Sequence, residues 1–304
     1  MLNENIINPV DDSRLTVKDI KAVVKLGLVQ GNLIPTFAGG WLAIVLTGQS
    51  FFGSLPELLA MLAGSILIMS GSCALNNFYD QDIDALMPSK MNRPSVTGKI
   101  DSKQLLILSL ALMVLGEALL FSVNMTTGLI GFLGIFGYVV LYSVWSKRHL
   151  VSNTIIGSFP GAIPPLIGWA SIDPHLSKTA WLLFIIMFAW QPAHFYALAI
   201  KRKDEYGLAD IPMLPTVRGF ARTRLGMLFW VLVLLPTPFF MTELGNVFIT
   251  LATMLNVGWL ILTLSGFRNG VKEAKWAMQM FIYSLNYLMI FFVMIVVVTL
   301  IQMI

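Results

Sequence analysis

Between Asn76 and Asp84 the chain reads Asn-Asn-Phe-Tyr-Asp-Gln-Asp-Ile-Asp. Three carboxylates within five residues repel one another, a cost that a bound cation removes. Asn76, Asp80 and Asp84 recur at every fourth position. At 3.6 residues per turn they drift by only about 40° per step and line one helix face over roughly 12 Å, with Asp82 on the other side. The run stands at the end of a long apolar stretch, and a helix C-terminus favours bases over acids, so a merely solvated helix end accounts for it poorly. All-oxygen ligands suit Mg²⁺, a hard ion commonly held by one or two carboxylates plus a substrate phosphate. The single cysteine, Cys73, excludes an internal disulfide and any cysteine-built metal or iron–sulfur centre.

A second charged stretch opens with Lys201-Arg202-Lys203-Asp204-Glu205-Tyr206. Alone it reads as a solvated charge run. It has a counterpart, however: Pro94-Ser95-Val96-Thr97-Gly98 in the first region and Pro215-Thr216-Val217-Arg218-Gly219 in the second, beginning ten residues after Asp84 and eleven after Asp204. The match suggests a parallel repeat, helices 1–4 against 5–8 with a ninth left over. Such a repeat places two acid-bearing loops across a pseudo-two-fold axis, with one ligand held between them.

Other features are less specific. Trp190-Gln191-Pro192-Ala193-His194-Phe195 puts a proline inside an apolar run, where it frees a backbone carbonyl and marks a kink. His194 is either bonded to a neighbouring helix, a ligand to a metal-bearing substrate, or a proton carrier. Asn153 and Gly161-Ala162-Ile163-Pro164-Pro165 are explained as well by close packing and a bend as by function. Glu117 is an acid within an apolar run, a default functional suspect.

The elements that must position these residues are membrane spans. Of 304 residues, 57% are hydrophobic and 12% charged, with mean hydropathy +0.78; a soluble domain carries about 25% charge. Apolar runs at 24–47, 56–79, 104–123, 128–145, 151–171, 179–200, 225–242, 246–266 and 279–302 each approach the roughly 20 residues a bilayer requires. With the N-terminus in the cytoplasm, every Lys and Arg of the 20 except Lys178 falls on the cytoplasmic side, as the positive-inside rule requires. The sequence therefore predicts an all-α polytopic membrane protein of nine transmembrane helices, N-terminus cytoplasmic and C-terminus external. Its parts are a cytoplasmic segment 1–23, a nine-helix domain 24–304, and cytoplasmic motif loops at 80–103 and 201–224. The first 23 residues carry Glu4, Asp11, Asp12 and Asp19, unlike a transit or signal peptide, which favours a bacterial plasma membrane. The basic balance thus speaks of the membrane surface, not of nucleic acid.

Carboxylates, Mg²⁺ and bases at the mouth of an apolar bundle fit an isoprenyl diphosphate, a polyanionic head on an apolar tail. Asp80, Asp84 and Asp204 would hold the metal, with Arg93, Arg148 and Lys201 as cationic contacts to the diphosphate. Neutralising the charge that develops on the leaving diphosphate eases ionisation of the allylic C–O bond, and a dry chamber protects the cation from water.

Asn76-x3-Asp80-x3-Asp84 resembles the first signature of the UbiA-type intramembrane prenyltransferases. Several further stretches are similar to the branch of that superfamily that farnesylates haem. They are Tyr79 to Met87 followed by Asn92-Arg93-Pro94; Gly161 to Pro165 with Gly168-Trp169; Trp190-Gln191-x-x-His194-Phe195; and Asp204-Glu205-Tyr206 followed by Ile211 to Pro215. The resemblance implies a helical bundle with a central cavity and the catalytic residues Asn76, Asp80, Asp84 and Asp204. It implies farnesyl diphosphate and haem b as substrates, haem O and pyrophosphate as products, and haem A synthase or oxidase-assembly proteins as downstream partners. It also makes His194, or alternatively His149, the residue that positions the haem iron. The second family motif is looser: Lys201-x2-Asp204 fits, but the tyrosine expected four residues before the lysine is Ala197, with Tyr196 one position earlier. Competing readings are a prenyltransferase with a quinone precursor or other aromatic acceptor, and a secondary transporter. The latter keeps its acids near the midplane, whereas here they cluster at one face.

Overall fold

The computed structural model describes residues 15–303, and within them every regular element is a helix. Of the N-terminal segment, Glu4, Asp11, Asp12 and Arg14 lie outside the described residues. A short helix α1 (Val17–Val23) is followed by α2 (Leu26–Thr47), α3 (Leu55–Tyr79), the five-residue α4 (Gln81–Ala85) and α5 (Ser102–Val123). Next come α6 (Met125–Phe136), which continues as a π-helix over Gly137–Ser146, then α7 (Asn153–Gly161) and α8 (Pro164–Ile172). The chain ends with α9 (Lys178–Lys201), α10 (Lys203–Leu208), α11 (Leu214–Leu234), α12 (Gly245–Ser265) and α13 (Glu273–Met303). Among the described residues nine helical segments are long and apolar enough to cross a bilayer, the number the apolar runs predict.

Two bounds differ from the sequence expectation. The region 201–224 is largely helical, since α10 and the first turns of α11 occupy most of it. Its charges had hidden this, because Arg218, Arg222 and Arg224 interrupt the apolar signal without interrupting the helix. Gly219, at φ 72° and ψ 177°, breaks α11 after its first turn. The final helix likewise begins at Glu273, six residues before the apolar run.

Packing is led by small residues. Lipid tails are as apolar as leucine, so helices in a membrane associate through close backbone approach. A Cβ at Gly116 of α5 would come within 2.8 Å of the Gly64 carbonyl oxygen on α3, and one at Gly71 within 2.7 Å of that of Ser109. The contact of α2 with α8 is tighter: a Cβ at Gly168 would fall 1.8 Å from the Thr36 carbonyl oxygen. α7 and α8 form one broken span, with Pro164 and Pro165 opening α8 where α7 stops.

The two motif loops meet at one membrane face. Ile83 and Met87 of the first cluster with Ala199, Ala209, Ile211 and Met213 of the second region. Ser89 donates to the Glu205 carboxylate and accepts from Arg202 at 3.3 Å. The two matched stretches also end alike, with Gly98 at φ 76° and Gly219 at φ 72°. That backbone region is freely open to glycine and costs other residues, which is why both stretches end on that residue type.

Candidate active site

Asn76 lies in the last turn of α3, and Asp80 is the residue between α3 and α4. The helix bends there (φ −96°, ψ 8°) but keeps its hydrogen-bond rhythm, with the Asp80 amide donating to the Asn76 carbonyl and the Asp84 amide to the Asp80 carbonyl at 3.0 and 2.8 Å. The four-residue spacing therefore still gathers the three side chains. Asn76 is 4% exposed and Asp80 and Asp84 are fully buried. Asp82 takes the opposite side, as its position in the run predicts, with 65% of its side chain exposed.

Each buried oxygen donor has a cation against it. Lys147 donates to Asp80 Oδ2. Lys90 donates to Asp84 Oδ1 at 3.0 Å and Arg93 to Asp84 Oδ2. Arg93 also reaches Asn77 Oδ1 at 3.1 Å, and Lys25 donates to Asn76 Oδ1. Burial pushes the Asp84 pKa up, but Arg93 and Lys90 outweigh it and hold the carboxyl below its ordinary value. Burial, with the neighbouring Lys147, lowers the Lys90 pKa against the pull of Asp84. Lys25 is pushed down to about 8, chiefly by burial. Its backbone is left-handed, at φ 50°, a conformation that costs a non-glycine residue energy and is retained where the surroundings over-determine it. The neighbouring α1 is fixed by Asn77, whose amide donates to the Val23 carbonyl at 2.8 Å.

The π-helix forms the opposite wall. Ser143 accepts from the Asn76 amide at 3.0 Å and donates to the Tyr138 carbonyl at 2.9 Å. The π winding closes on Lys147, whose amide donates to the Tyr142 carbonyl at 2.9 Å, and π turns recur at functional sites. Asn153 of α7 donates to the Lys147 carbonyl at 3.4 Å, so it braces this corner.

Of the cationic contacts read from sequence, Arg93 stands in the cradle. Arg148 stands at its rim, bound bidentately to Asp82 at 2.6 and 2.8 Å and to the Tyr79 carbonyl at 2.7 Å, with Asp80 Oδ1 at 3.8 Å. The hydrogen bond from Arg148 is the main cause of the lowered Asp82 pKa. Lys201 and Asp204 are exposed, and their side chains make no hydrogen bond or ion pair with the described residues. Their neighbour Tyr206 does reach the site: its phenol pKa is raised by burial, and it lies in the fields of Arg93 and Asp84. Among the described residues no three His, Cys, Asp or Glu side chains stand close enough to share a metal ion; Lys147, Lys90 and Arg93 occupy the space around the carboxylates. Sequence reasoning counted Lys147, Lys90 and Lys25 only as loop charges. The usable signal was the adjacency Lys147-Arg148 after an apolar run, but choosing between the two needs the phase of the π-helix.

The donor set fits a hard divalent cation. Asp80 Oδ1 is buried and accepts no hydrogen bond, so it has a lone pair free for an ion or ligand. The neighbouring Asp84 carboxylate and Asn76 amide oxygen, bonded here to Lys90, Arg93 and Lys25, are also hard oxygen donors.

His194 sits on α9, away from the acids. Its ring stacks between Trp190 and Phe281, at centroid distances of 4.6 and 4.8 Å. Nδ1 is 2.7 Å from Ser284 Oγ, which gives its only proton to the Phe281 carbonyl at 2.7 Å. Nδ1 therefore carries the ring proton, and Nε2 keeps its lone pair. His149 is exposed in the loop after the π-helix. Glu117 lies about four turns along α5 from the motif-loop face and looks toward Gly131 of α6, where a Cβ would meet its Oε2 at 3.0 Å.

Comparison with known proteins identifies the family. A sequence model of the UbiA prenyltransferase family matches residues 32–285. The protein named protoheme IX farnesyltransferase from Macrococcus caseolyticus is 73% identical over 304 residues, covering 99% of each chain. Its namesake from Staphylococcus saprophyticus is 61% identical over 293 residues, covering 96% of this chain and 97% of that one. A solved UbiA homolog from Archaeoglobus fulgidus bound to DMAPP and Mg²⁺ superposes with a TM-score of 0.66 at 13% identity, covering 91% of this chain and 99% of the other, a likeness of fold. Full-length identity to the named relatives and the buried carboxylates at the mouth of nine spans lead to one assignment: the chain belongs to the UbiA prenyltransferase family.

Proposed function

We propose that the chain transfers the farnesyl group of farnesyl diphosphate to a vinyl group of haem b, giving haem O and pyrophosphate. The observation that carries this reading is the pair of buried aspartates, Asp80 and Asp84, ringed by Lys147, Lys90 and Arg93 at the end of α3. It occurs in a chain 73% identical throughout to a protein of that name. Asp80 and Asp84 would hold Mg²⁺, with Asn76 beside them and Asp204 on the second loop. When bound, the metal supplies charge neutralisation for the departing diphosphate.

The protein's own cations share that task. Lys147, Lys90 and Arg93, which neutralise carboxylates here, and Lys25, which bonds the Asn76 amide oxygen, neutralise the phosphate oxygens when the diphosphate arrives; Arg148 and Lys201 flank its path. A preorganised ring of this kind needs no reorganisation as charge develops. The C1–O bond breaks with its electron pair leaving on pyrophosphate. The vinyl π-electrons form the new carbon–carbon bond, and water adds hydroxide to the resulting cation and releases a proton. The apolar helices shield the allylic cation until the vinyl group reaches it. His194 positions haem through the iron, because its free Nε2 lone pair and fixed Nδ1 proton are the form in which imidazole ligates metal. We place the chain in a bacterial plasma membrane with the N-terminus and the motif loops in the cytoplasm, where haem A synthase or an oxidase-assembly protein takes the product.

Membranes carrying the protein, incubated with haem b and farnesyl diphosphate, will convert haem b to a more hydrophobic, hydroxyethylfarnesyl haem on chromatography. Chelating Mg²⁺ will stop the conversion. Undiminished conversion with a chelator present, or transfer only to a quinone precursor, overturns the reading. His194→Ala will weaken the Soret band of haem-loaded protein.

A further inference from the structure

The nine spans leave a lateral groove that shares no residue with the carboxylate site. It lies between α7, α9 and α11, with a volume of about 880 Å³, within the range of ligand pockets. At its polar end stand Arg218 and Arg222. Gly219, at φ 72°, turns the chain between them so that both face the same groove. Neither arginine side chain forms a hydrogen bond or ion pair with any described residue. The next arginine, Arg224, contrasts with them: it donates to the Gly266 carbonyl at 2.8 Å and stacks over Phe267. Below Arg222 the lining turns apolar, with Leu225, Phe229, Trp230 and Ile155. Leu225 and Phe229 are 47% and 58% exposed at this face. From Arg222 to Trp230 the helix runs about 12 Å, from charged to apolar lining.

We propose that this groove binds an anionic diacyl phospholipid, its phosphate between Arg218 and Arg222 and one acyl chain laid against Phe229, Trp230 and Ile155. Three observations select this occupant. Two unpaired guanidiniums at the boundary complement a phosphate, whose oxygens they can bond in pairs. The groove carries no carboxylate to hold a metal, so it lacks what a diphosphate head requires. None of its lining residues is His, Cys or Met, the usual ligands of haem iron. The inference stands on the membrane location and not on the farnesyl-transfer reading, and it adds a lipid-binding site separate from the substrates. Basic residues near an anionic bilayer surface each contribute about fivefold to binding.

The test is titration of the intact protein in mild detergent with dioleoyl phosphatidylglycerol and, separately, dioleoyl phosphatidylcholine, counting bound lipid by native mass spectrometry. Phosphatidylglycerol is expected to bind the more tightly. In Arg218→Gln/Arg222→Gln its affinity should fall roughly thirtyfold, with phosphatidylcholine unchanged; Arg218→Lys/Arg222→Lys should keep most of it. Gly226→Leu supplies the independent arm. A Cβ there stands 3.4 Å from the Tyr196 ring and 3.5 Å from Leu214, so the site accepts a side chain, which then fills the groove with both arginines intact. This variant should lose the lipid as well. Equal retention of both lipids by the wild type overturns the proposal, as does full retention in Gly226→Leu. Full competition by glycerol phosphate marks a site for the anion alone, and stoichiometric displacement by farnesyl diphosphate or haem b marks a substrate site; either result also overturns it.

Discussion

A carboxylate fully removed from water is tolerated only when something neutralises it, and at Asp80 the neutraliser is Lys147. Removing one member of a buried pair costs about 3–5 kcal/mol, because the other is left as an uncompensated charge. Lys147→Ala should therefore lower thermal stability in detergent by an amount in that range. Lys147→Met combined with Asp80→Asn should recover most of the loss, because no buried charge is then stranded. A melt of the double variant as low as that of Lys147→Ala would refute the stranded-charge account. Activity should respond differently. Asp80→Ala and Asp84→Ala are each expected to reduce farnesyl transfer by roughly 10²-fold or more, the usual cost of losing a charge-stabilising group in the transition state, and the stability rescue should not restore it. Asp82→Asn should leave turnover nearly intact, since Asp82 faces solvent and Arg148. Its measurable cost is a surface ion pair, at most about 1 kcal/mol. Paired assays of turnover and melting separate the three aspartates.

Among the elements, the broken span α7–α8 is held by backbone approach more than by side-chain bulk. Gly168 meets the Thr36 carbonyl, and a Cβ at Gly39 would fall 2.2 Å from the Pro165 carbonyl oxygen. Backbone on both sides leaves nothing flexible to yield, so Gly168→Ala should destabilise by at least the 1–3 kcal/mol typical of overpacking, about the low end if α8 can slide. Gly31 of α2 is the control, with nothing within 4 Å of its added Cβ. Gly31→Ala should raise stability by about 0.5–1 kcal/mol through helix propensity. A shared sign for the two in one thermal-melt series would refute the close-approach account. These elements also show where sequence reading stops. The span count follows from apolar length alone, and the gathering of Asn76, Asp80 and Asp84 follows from the four-residue period, which survives the bend at Asp80. The π winding of Gly137–Ser146 leaves no compositional mark, so Lys147 and Arg148 could not be assigned to Asp80 and Asp82 without coordinates. The start of α11 was masked for the opposite reason: its arginines read as loop although they sit on a helix.

For the whole molecule, the proposed chemistry depends on two distant stretches of chain meeting at one end of the helical bundle. The apolar cluster of Ile83, Met87, Ile211 and Met213 provides that meeting, reinforced by Ser89 with Arg202 and Glu205. Asp204 and Lys201 are held near the first loop only through it, because their own side chains bind nothing among the described residues. The charges argue which face this is: Lys178, at the start of the sixth span, is the one base on the base-poor side, while Lys203 belongs to the base-rich loop. Bases are retained on the cytoplasmic side during insertion, so this asymmetry predicts that the motif loops face the cytoplasm. With Cys73 replaced by Ala, a single cysteine at Lys178→Cys should react with a membrane-impermeant maleimide in intact cells. A single cysteine at Lys203→Cys should react only after the membrane is opened. Cys73 is buried, so its replacement changes the labelling background without altering the surface. If Lys203→Cys is labelled in intact cells and Lys178→Cys is not, the carboxylate cradle faces outward, where the cell makes no farnesyl diphosphate, and the proposed reaction has no donor.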